Sequence, residues 1–526
     1  MKTNTHEVVI IGGGHNGLTV AGYLAKAGVD VCVLEALPFV GGGVVSVESA
    51  APGFKTDPCS VWHGLIQANP LILNDELGLK SKFGLKYIRP ENQYGVLFPD
   101  DSYLILYRDI DKTCESIAKF SEHDAQAYRK FYDWSEKLLD MLTQGMFNPP
   151  ASFGAMVSLL DQSPEGRDLL RCMLISAAEI CDDWFETPEL KATLTKFVAE
   201  ELVSPRAKGT GFVVFVLIPL MHRYGGALPE GGSGALSEAM VRCIQHYGGT
   251  IRTNAPVEKV MVTSGEARGV ILKGGEQVMS TRAVISNLNA KQIPALIGKE
   301  NTPESYAKDL KKLRLSSHRS ICQGYALHEP PNFTAGQEVN ESFFVEFATK
   351  PYDKFLRRFD DMEYGYMSVD MPVISCQTRF DPTRAPQGKH ALYLFHYTPY
   401  DLAEGGAHKW DEKREEIADA ILGTLRKQTT NMGSDNIIGR MIETPLDLER
   451  RNPAMIGGDY SHLGMHLSQL MGNRYLPGWS YKTPVEKFWM CGPSCHPGVG
   501  VNGGGRAAVQ PVMEELGIDF ESVIGR

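Results

Sequence analysis

No apolar run in this 526-residue chain is long enough to cross a bilayer. The longest, Gly211 to Met221 (GFVVFVLIPLM), is interrupted by Pro219 and reads as a buried strand or the wall of a substrate channel. Basic excess is also missing: the formal net charge of -10 removes the positive field on which nucleic-acid binding depends. Cysteine is sparse, with 10 residues scattered along the chain, which fits reduced thiols and a cytoplasmic protein better than a disulfide framework. No HExxH, no CxxC pair and no carboxylate cluster marks a metal site, so none is expected. Cys491 and Cys495 stand four apart in a turn, which is not the spacing of thiol oxidoreductases, and they read as buried small residues. Met1 to Glu7 carries no apolar signal core, so no targeting segment is expected. Neither an internal repeat nor a low-complexity tract is visible.

What remains is an ordinary globular composition, 43% apolar and 22% charged, with 53 glycines that point to tight turns and close backbone approach to a ligand. The length exceeds what a single hydrophobic core serves, so two intertwined domains are expected.

Val8 to Ala36 reads VVIIGGGHNGLTVAGYLAKAGVDVCVLEA: an apolar strand, a glycine turn, a small-residue helix and a second apolar strand closed by Glu35. In such a βαβ unit Gly12 makes the turn, Gly14 lets the backbone approach a pyrophosphate, and Gly17 lets the helix pack on the sheet. Phosphate is favoured at the helix N-terminus, beside His15 and Asn16, by free N–H groups and the helix dipole. Glu35 stands at the spacing that reaches a ribose hydroxyl, and an acid there argues against a ribose 2′-phosphate. The unit by itself does not separate FAD from NAD. Gly41, Gly42 and Gly43 follow the acid and offer backbone to the far side of a dinucleotide.

From about Leu71 to Gly211 the pattern is mostly helical, as in the amphipathic stretch Cys114 to Leu142, and suggests an inserted cap. A second glycine loop, PEGGSGALS at Pro229 to Ser237, opens a helix that Ser233 could cap, but no strand with a terminal acid follows it, so it reads as structural. Short strands at Val257 to Val262, Gly269 to Leu272 and Ala283 to Asn287 lead back to the nucleotide domain. Phe343 to Phe347 and Leu392 to His396 resemble strands of a substrate-side sheet. Lys487 to Val512 closes the chain with another strand, glycine turn and small-residue helix.

These pieces resemble the phytoene desaturase-like family of FAD-dependent oxidoreductases, and most closely its pyridine nucleotide-disulphide oxidoreductase domain-containing subgroup. The motifs run end to end: GHNGL at Gly14 to Leu18, PGF at Pro52 to Phe54 with Asp57, PEGGSGALS, TPLDLERRNP at Thr444 to Pro453, YKTP at Tyr481 to Pro484 and CGPSCHPGVGVNG at Cys491 to Gly503. The resemblance implies an α/β fold, a discontinuous Rossmann-type FAD-binding domain (1–70, 225–290 and 482–526) with an inserted mixed α+β substrate domain (71–224 and 291–481). It implies that Gly12, Gly14, Gly17 and Glu35 hold the ADP half, that Val257 lies by the adenine, and that Gly492, Gly500 and Val501 lie by the flavin. Two departures bear on the flavin contacts: Gly43 stands where many relatives carry Arg, and Val499 interrupts the usual glycine run. His63 and His496 are the candidates for taking a proton as hydride leaves the substrate, against a structural role for each. His15 is a candidate for covalent flavin attachment, against a plain helix start.

The resemblance points to a desaturase or dehydrogenase acting on CH–CH bonds of an apolar isoprenoid, terpenoid or alicyclic substrate. Its alternatives are a flavin amine oxidase and a non-catalytic FAD-binding interaction protein. With a single nucleotide signature, electrons are expected to pass to oxygen, a quinone or a redox protein. An apolar substrate adds peripheral membrane contact to the expectations.

Overall fold

A computed structural model describes residues 4–498 and 500–525; Val499, the residue expected to interrupt the flavin-side turn, lies outside them. The strand Thr5–Ile11 carries the fully buried run Val8 to Ile11, and Val31–Leu34 is buried throughout. Strands covered on both faces need continuous apolar sequence rather than alternation, and these pair in parallel. The first sheet runs in the order Thr250–Arg252, Val31–Leu34, Thr5–Ile11, Gln277–Ser286, Glu266–Leu272, Val257–Thr263. Phe488–Met490 joins it beside the last residues of Gln277–Ser286, also in parallel. Its strands therefore come from three separated stretches of chain. The helix His15–Lys26 packs against both Gly234–His246 and Gly505–Glu515. The close approach to the last of these needs glycine: a Cβ on Gly505 would stand 2.3 Å from the Asn16 carbonyl.

The second sheet also has seven strands, ordered Ile437–Glu443, Arg319–Leu327, His390–Thr398, Val373–Ser375, Phe344–Phe347, Asn92–Leu97, Tyr103–Tyr107. All its pairs are antiparallel except Phe344–Phe347 with Asn92–Leu97. Helices between Ile110 and Tyr224 pack over it.

The stretch expected to be a strand or channel wall is neither: Gly211–Tyr224 is one helix, and none of its residues lines the cavity described below. Eleven of its residues are buried, so it lacks the polar stripe that marks an amphipathic helix, and a continuous apolar run does not distinguish strand from helix. Gly225, at φ +68°, ends it. Ser233 precedes its helix but does not cap it with its side chain. That hydroxyl is instead held by the Ser60 carbonyl and His63.

One buried ion network ties the segments together. Arg384 donates from Nη1 to Asp57 at 2.6 Å and from Nε to Asp381 at 3.1 Å, with no exposure of the guanidinium. Asp57 also accepts from Ser46 Oγ at 2.5 Å and from the Ser233 N–H at 3.2 Å. The PGF-to-Asp57 motif thus holds the glycine loops of the first sheet onto the substrate-side strands.

Candidate active site

A cavity of about 430 Å³ runs from the first glycine turn into the space under the second sheet. At its first end Gly12 takes φ +92°, a backbone conformation that favours glycine. Gly14 precedes the helix His15–Lys26 in extended conformation without any side-chain cap, leaving the first helical N–H groups free to meet an anion. Bulk is excluded around this turn: a Cβ would stand 2.6 Å from Asn287 Nδ2 at Gly14 and 2.4 Å from the Gly12 carbonyl at Gly17. Gly41 donates to the Gly13 carbonyl at 2.8 Å, so the second glycine cluster folds back over the first.

Glu35 closes its strand as the sequence predicts. Its Oε2 accepts from the Gly13 N–H at 2.7 Å and its Oε1 from the Leu37 N–H at 2.9 Å. Burial raises the carboxyl's pKa, and these backbone donors pull it back. The acid is thereby fixed in the cavity wall, which Val257 also lines. Five buried polar atoms of cavity-lining residues, His15 Nε2, Ser60 Oγ, Glu200 Oε1, Asn287 Oδ1 and His462 Nδ1, have no partner in the protein. Buried polar atoms are normally paired, so these fit a ligand with its own donors and acceptors. Burial lowers the His15 pKa to about 4, which keeps the ring neutral near pH 7.

The other end is aromatic and acidic. Trp62, Phe197, Phe344, Tyr393, Phe395 and Tyr460 line it, together with Glu200 and Glu201, and no Lys or Arg lines the cavity among the described residues. The Trp62 ring is seated by glycines: a Cβ on Gly64 would come within 2.1 Å of it, and one on Gly226 within 1.4 Å. Glu200 and Glu201 follow the helix Pro188–Ala199, whose Phe197 stands one turn earlier. Glu200 belongs to a buried group with Glu346 and Lys196, whose Nζ lies 4.0 Å from Glu346 Oε2 and donates to the Met371 carbonyl at 3.0 Å. Burial and the nearby Glu346 hold the Glu200 carboxyl well above the usual range. Glu201 is different. Burial alone pushes it up to about 7, and no hydrogen-bond donor or cation offsets that.

Of the residues expected at the cofactor, Gly12, Gly14, His15, Asn16, Glu35, Gly42, Gly43, Val257, Gly500 and Val501 line the cavity. Gly17 and Gly492 stand behind it, where a Cβ on Gly492 would come 2.7 Å from the Asn287 carbonyl. Neither expected proton acceptor reaches the wall. His63 is fully buried, with Nδ1 against the Tyr87 hydroxyl at 3.1 Å and Nε2 against Ser233 Oγ at 3.0 Å. His496 Nε2 meets the Gly145 carbonyl at 2.9 Å. Burial lowers His63 to about 3 and His496 to about 4. The geometry therefore assigns both rings to packing, correcting the catalytic expectation. Cys491 and Cys495 are buried and free. The three potential metal ligands that come together among the described residues, His123, Asp124 and Glu186, lie away from the cavity with His123 and Glu186 exposed.

Sequence reasoning missed Asn287, Glu200, Glu201, Tyr460 and His462 on the wall. Asn287 was within reach, because it directly follows a strand parallel to the first and so belongs at the sheet edge where ligands bind. The others come to the cavity through packing of distant segments and have no local signature.

Parallel strands at the heart of a mixed sheet, with a glycine turn and terminal acid opening on an aromatic chamber, define a dinucleotide-dependent oxidoreductase. The family model for flavin containing amine oxidoreductase matches residues 17–508, and the chain belongs to that family. It is 32% identical to pyridine nucleotide-disulfide oxidoreductase domain-containing protein 2 of Rattus norvegicus, covering 97% of this chain and 94% of that one. It is 26% identical to one of the subunits of limonene dehydrogenase from Castellaniella defragrans, over 98% and 95% of the two chains. Cyclohexylamine oxidase from Brevibacterium oxydans shares the fold, with a TM-score of 0.60 at 15% identity over 97% and 99% of the chains. FAD is the cofactor. No helix among the described residues is long and apolar enough to cross a membrane.

Proposed function

We propose that this chain is an FAD-dependent dehydrogenase or desaturase that removes hydride from a CH–CH bond of an apolar isoprenoid, terpenoid or alicyclic substrate. The observation that carries the reading is the continuity of the glycine cradle with an aromatic chamber on whose wall no Lys or Arg stands among the described residues. Bound FAD supplies the two-electron chemistry. Within the protein, Gly12, Gly14 and the N-terminus of His15–Lys26 would hold the pyrophosphate, Glu35 would meet the ribose, and Asn287, Gly500 and Val501 would lie on the flavin side. Trp62, Phe197, Phe344 and Phe395 hold the substrate's apolar body and keep water out. Similarity to a limonene dehydrogenase chain supports an alicyclic or terpenoid substrate. The electron acceptor is oxygen, a quinone or a redox protein.

Glu200 and Glu201 favour a second reading, a flavin amine oxidase, because a carboxylate in an apolar wall suits an ammonium group. Anaerobic mixing of the holoenzyme with limonene and, separately, with cyclohexylamine distinguishes the two. Bleaching of the flavin by the alkene alone supports the dehydrogenase, and bleaching by the amine alone replaces it with the oxidase. A flavin reduced by neither, nor by a wider panel of alkenes and amines, points to a non-catalytic FAD-binding protein.

A further inference from the structure

Besides Glu35, two carboxyls stand in the cavity wall: Glu200, whose Oε1 has no hydrogen-bond partner, and Glu201, which makes no hydrogen bond and has no cation beside it. Glu201 shares the wall with Trp62, Phe197 and Tyr460, and the two tyrosine hydroxyls that feel its charge do not bond it: Tyr460 donates to the Glu200 carbonyl at 3.2 Å and the Tyr94 hydroxyl is unpaired. Glu200 differs in being coupled to Glu346 and to the charge of Lys196, although its Oε1 is left without a partner. The Cys59 thiol, also on the wall, receives a hydrogen bond from Arg451 at 3.4 Å. An isolated carboxyl taken out of water costs free energy unless something hydrogen-bonds it, and native proteins keep such groups where a partner arrives. No protein group hydrogen-bonds the Glu201 carboxyl, and the residue lines the chamber; Ser60 Oγ and His462 Nδ1, also of wall residues, are likewise unpaired.

We propose that the substrate is an apolar molecule carrying one hydrogen-bond donor, a hydroxyl or an ammonium group, which Glu201 receives. Glu201 is thus the specificity-determining residue of the chamber, and an apolar carboxylic acid is excluded because the wall offers it two acids and, among the described residues, no Lys or Arg. The assignment rests on the reading that the chamber holds the apolar substrate. It narrows that reading, since a bare hydrocarbon would leave Glu201 buried against carbon. It also restricts the reacting bond to one held at a fixed distance from the donor, because the hydrogen bond sets the substrate's register along the chamber.

The test uses four compounds on one ring skeleton: limonene, perillyl alcohol, perillylamine and perillic acid. Their binding to the FAD-loaded enzyme at pH 8 is followed by perturbation of the flavin spectrum and by calorimetry. The alcohol or the amine is expected to bind at least about tenfold more tightly than limonene and than the acid, and the tighter of the two names the donor. Glu201→Leu is expected to abolish that preference while limonene binding is retained. Glu201→Gln keeps an acceptor, so it is expected to restore alcohol binding and to relax exclusion of the acid, which a purely structural role would not do. Equal affinity for limonene and the donor-bearing compounds, or a preference that survives in Glu201→Leu, overturns the assignment. Failure of all four to bind overturns the apolar-chamber reading itself, and this assignment with it.

Discussion

Glu35 and Glu201 show what surroundings do to the same functional group. Both are desolvated, but Glu35 accepts from the backbone N–H groups of Gly13 and Leu37 and Glu201 accepts from none. A carboxyl whose pKa is raised on folding is favoured in its neutral form. The unfolded chain ionises it above its ordinary value of 4.5, while the folded chain resists until about 7. Stability is therefore lost progressively as pH rises between those values and stays lost above them. Glu201→Gln removes the cost, so the variant should melt at the wild-type temperature near pH 4 and at a higher one at pH 8, by up to about 3 kcal/mol. Thermal denaturation of both proteins across that range checks the sign, and a gap that closes toward pH 8 would contradict it. The glycine turn gives a second prediction. A Cβ on Gly17 would press on the Gly12 carbonyl at 2.4 Å, and that oxygen belongs to backbone with no freedom to yield. Gly17→Ala should cost about 1–3 kcal/mol and lower the fraction of protein purified with FAD. The ratio of flavin to protein absorbance reads the second effect.

Among the elements, the first βαβ unit was legible because the forces that shape it are local. Val8 to Ile11 and Val31 to Leu34 are apolar without interruption, Gly12 needs a positive φ, and Glu35 ends its strand. The final strand, turn and helix were legible for the same reasons. Gly211–Tyr224 was not, since its burial on all sides erased the period that separates helix from strand. The chamber was legible only in fragments. Phe344 reached the cavity, whereas its neighbours Phe343 and Phe347 were spent on the cores to either side. His63 and His496 misled because proximity in sequence to a flavin motif says nothing of which way an imidazole points. Asp57 illustrates the converse: its motif was visible, but its partner Arg384 lies 327 residues away. Removing one member of a buried ion pair strands the other, at a cost of about 3–5 kcal/mol. Arg384→Ala should accordingly destabilise the protein strongly in urea denaturation. Arg384→Ala combined with Asp57→Asn and Asp381→Asn should cost less than the single change, because no unpaired charge is left. Equal losses in the two would show that packing, not charge, governs this joint.

Taken as a whole, the molecule places its cavity where two sheets meet, with strands of the first drawn from both ends and the middle of the chain. Such an arrangement makes the cofactor part of the packing. Ligand that binds only the folded state stabilises it by about 3 kcal/mol at a hundredfold excess over its dissociation constant, so stripping FAD should lower the melting temperature and adding it back should restore it. The same placement explains why the glycine cradle, the acid at the strand end and the aromatic wall form one continuous space rather than separate sites. The account stands or falls on that space holding FAD. Its most direct test is the absorption spectrum of the purified protein before and after denaturation. The account predicts a flavin spectrum in the native protein, with FAD released into the supernatant when the chain unfolds. A colourless protein that takes up no FAD on reconstitution would contradict it.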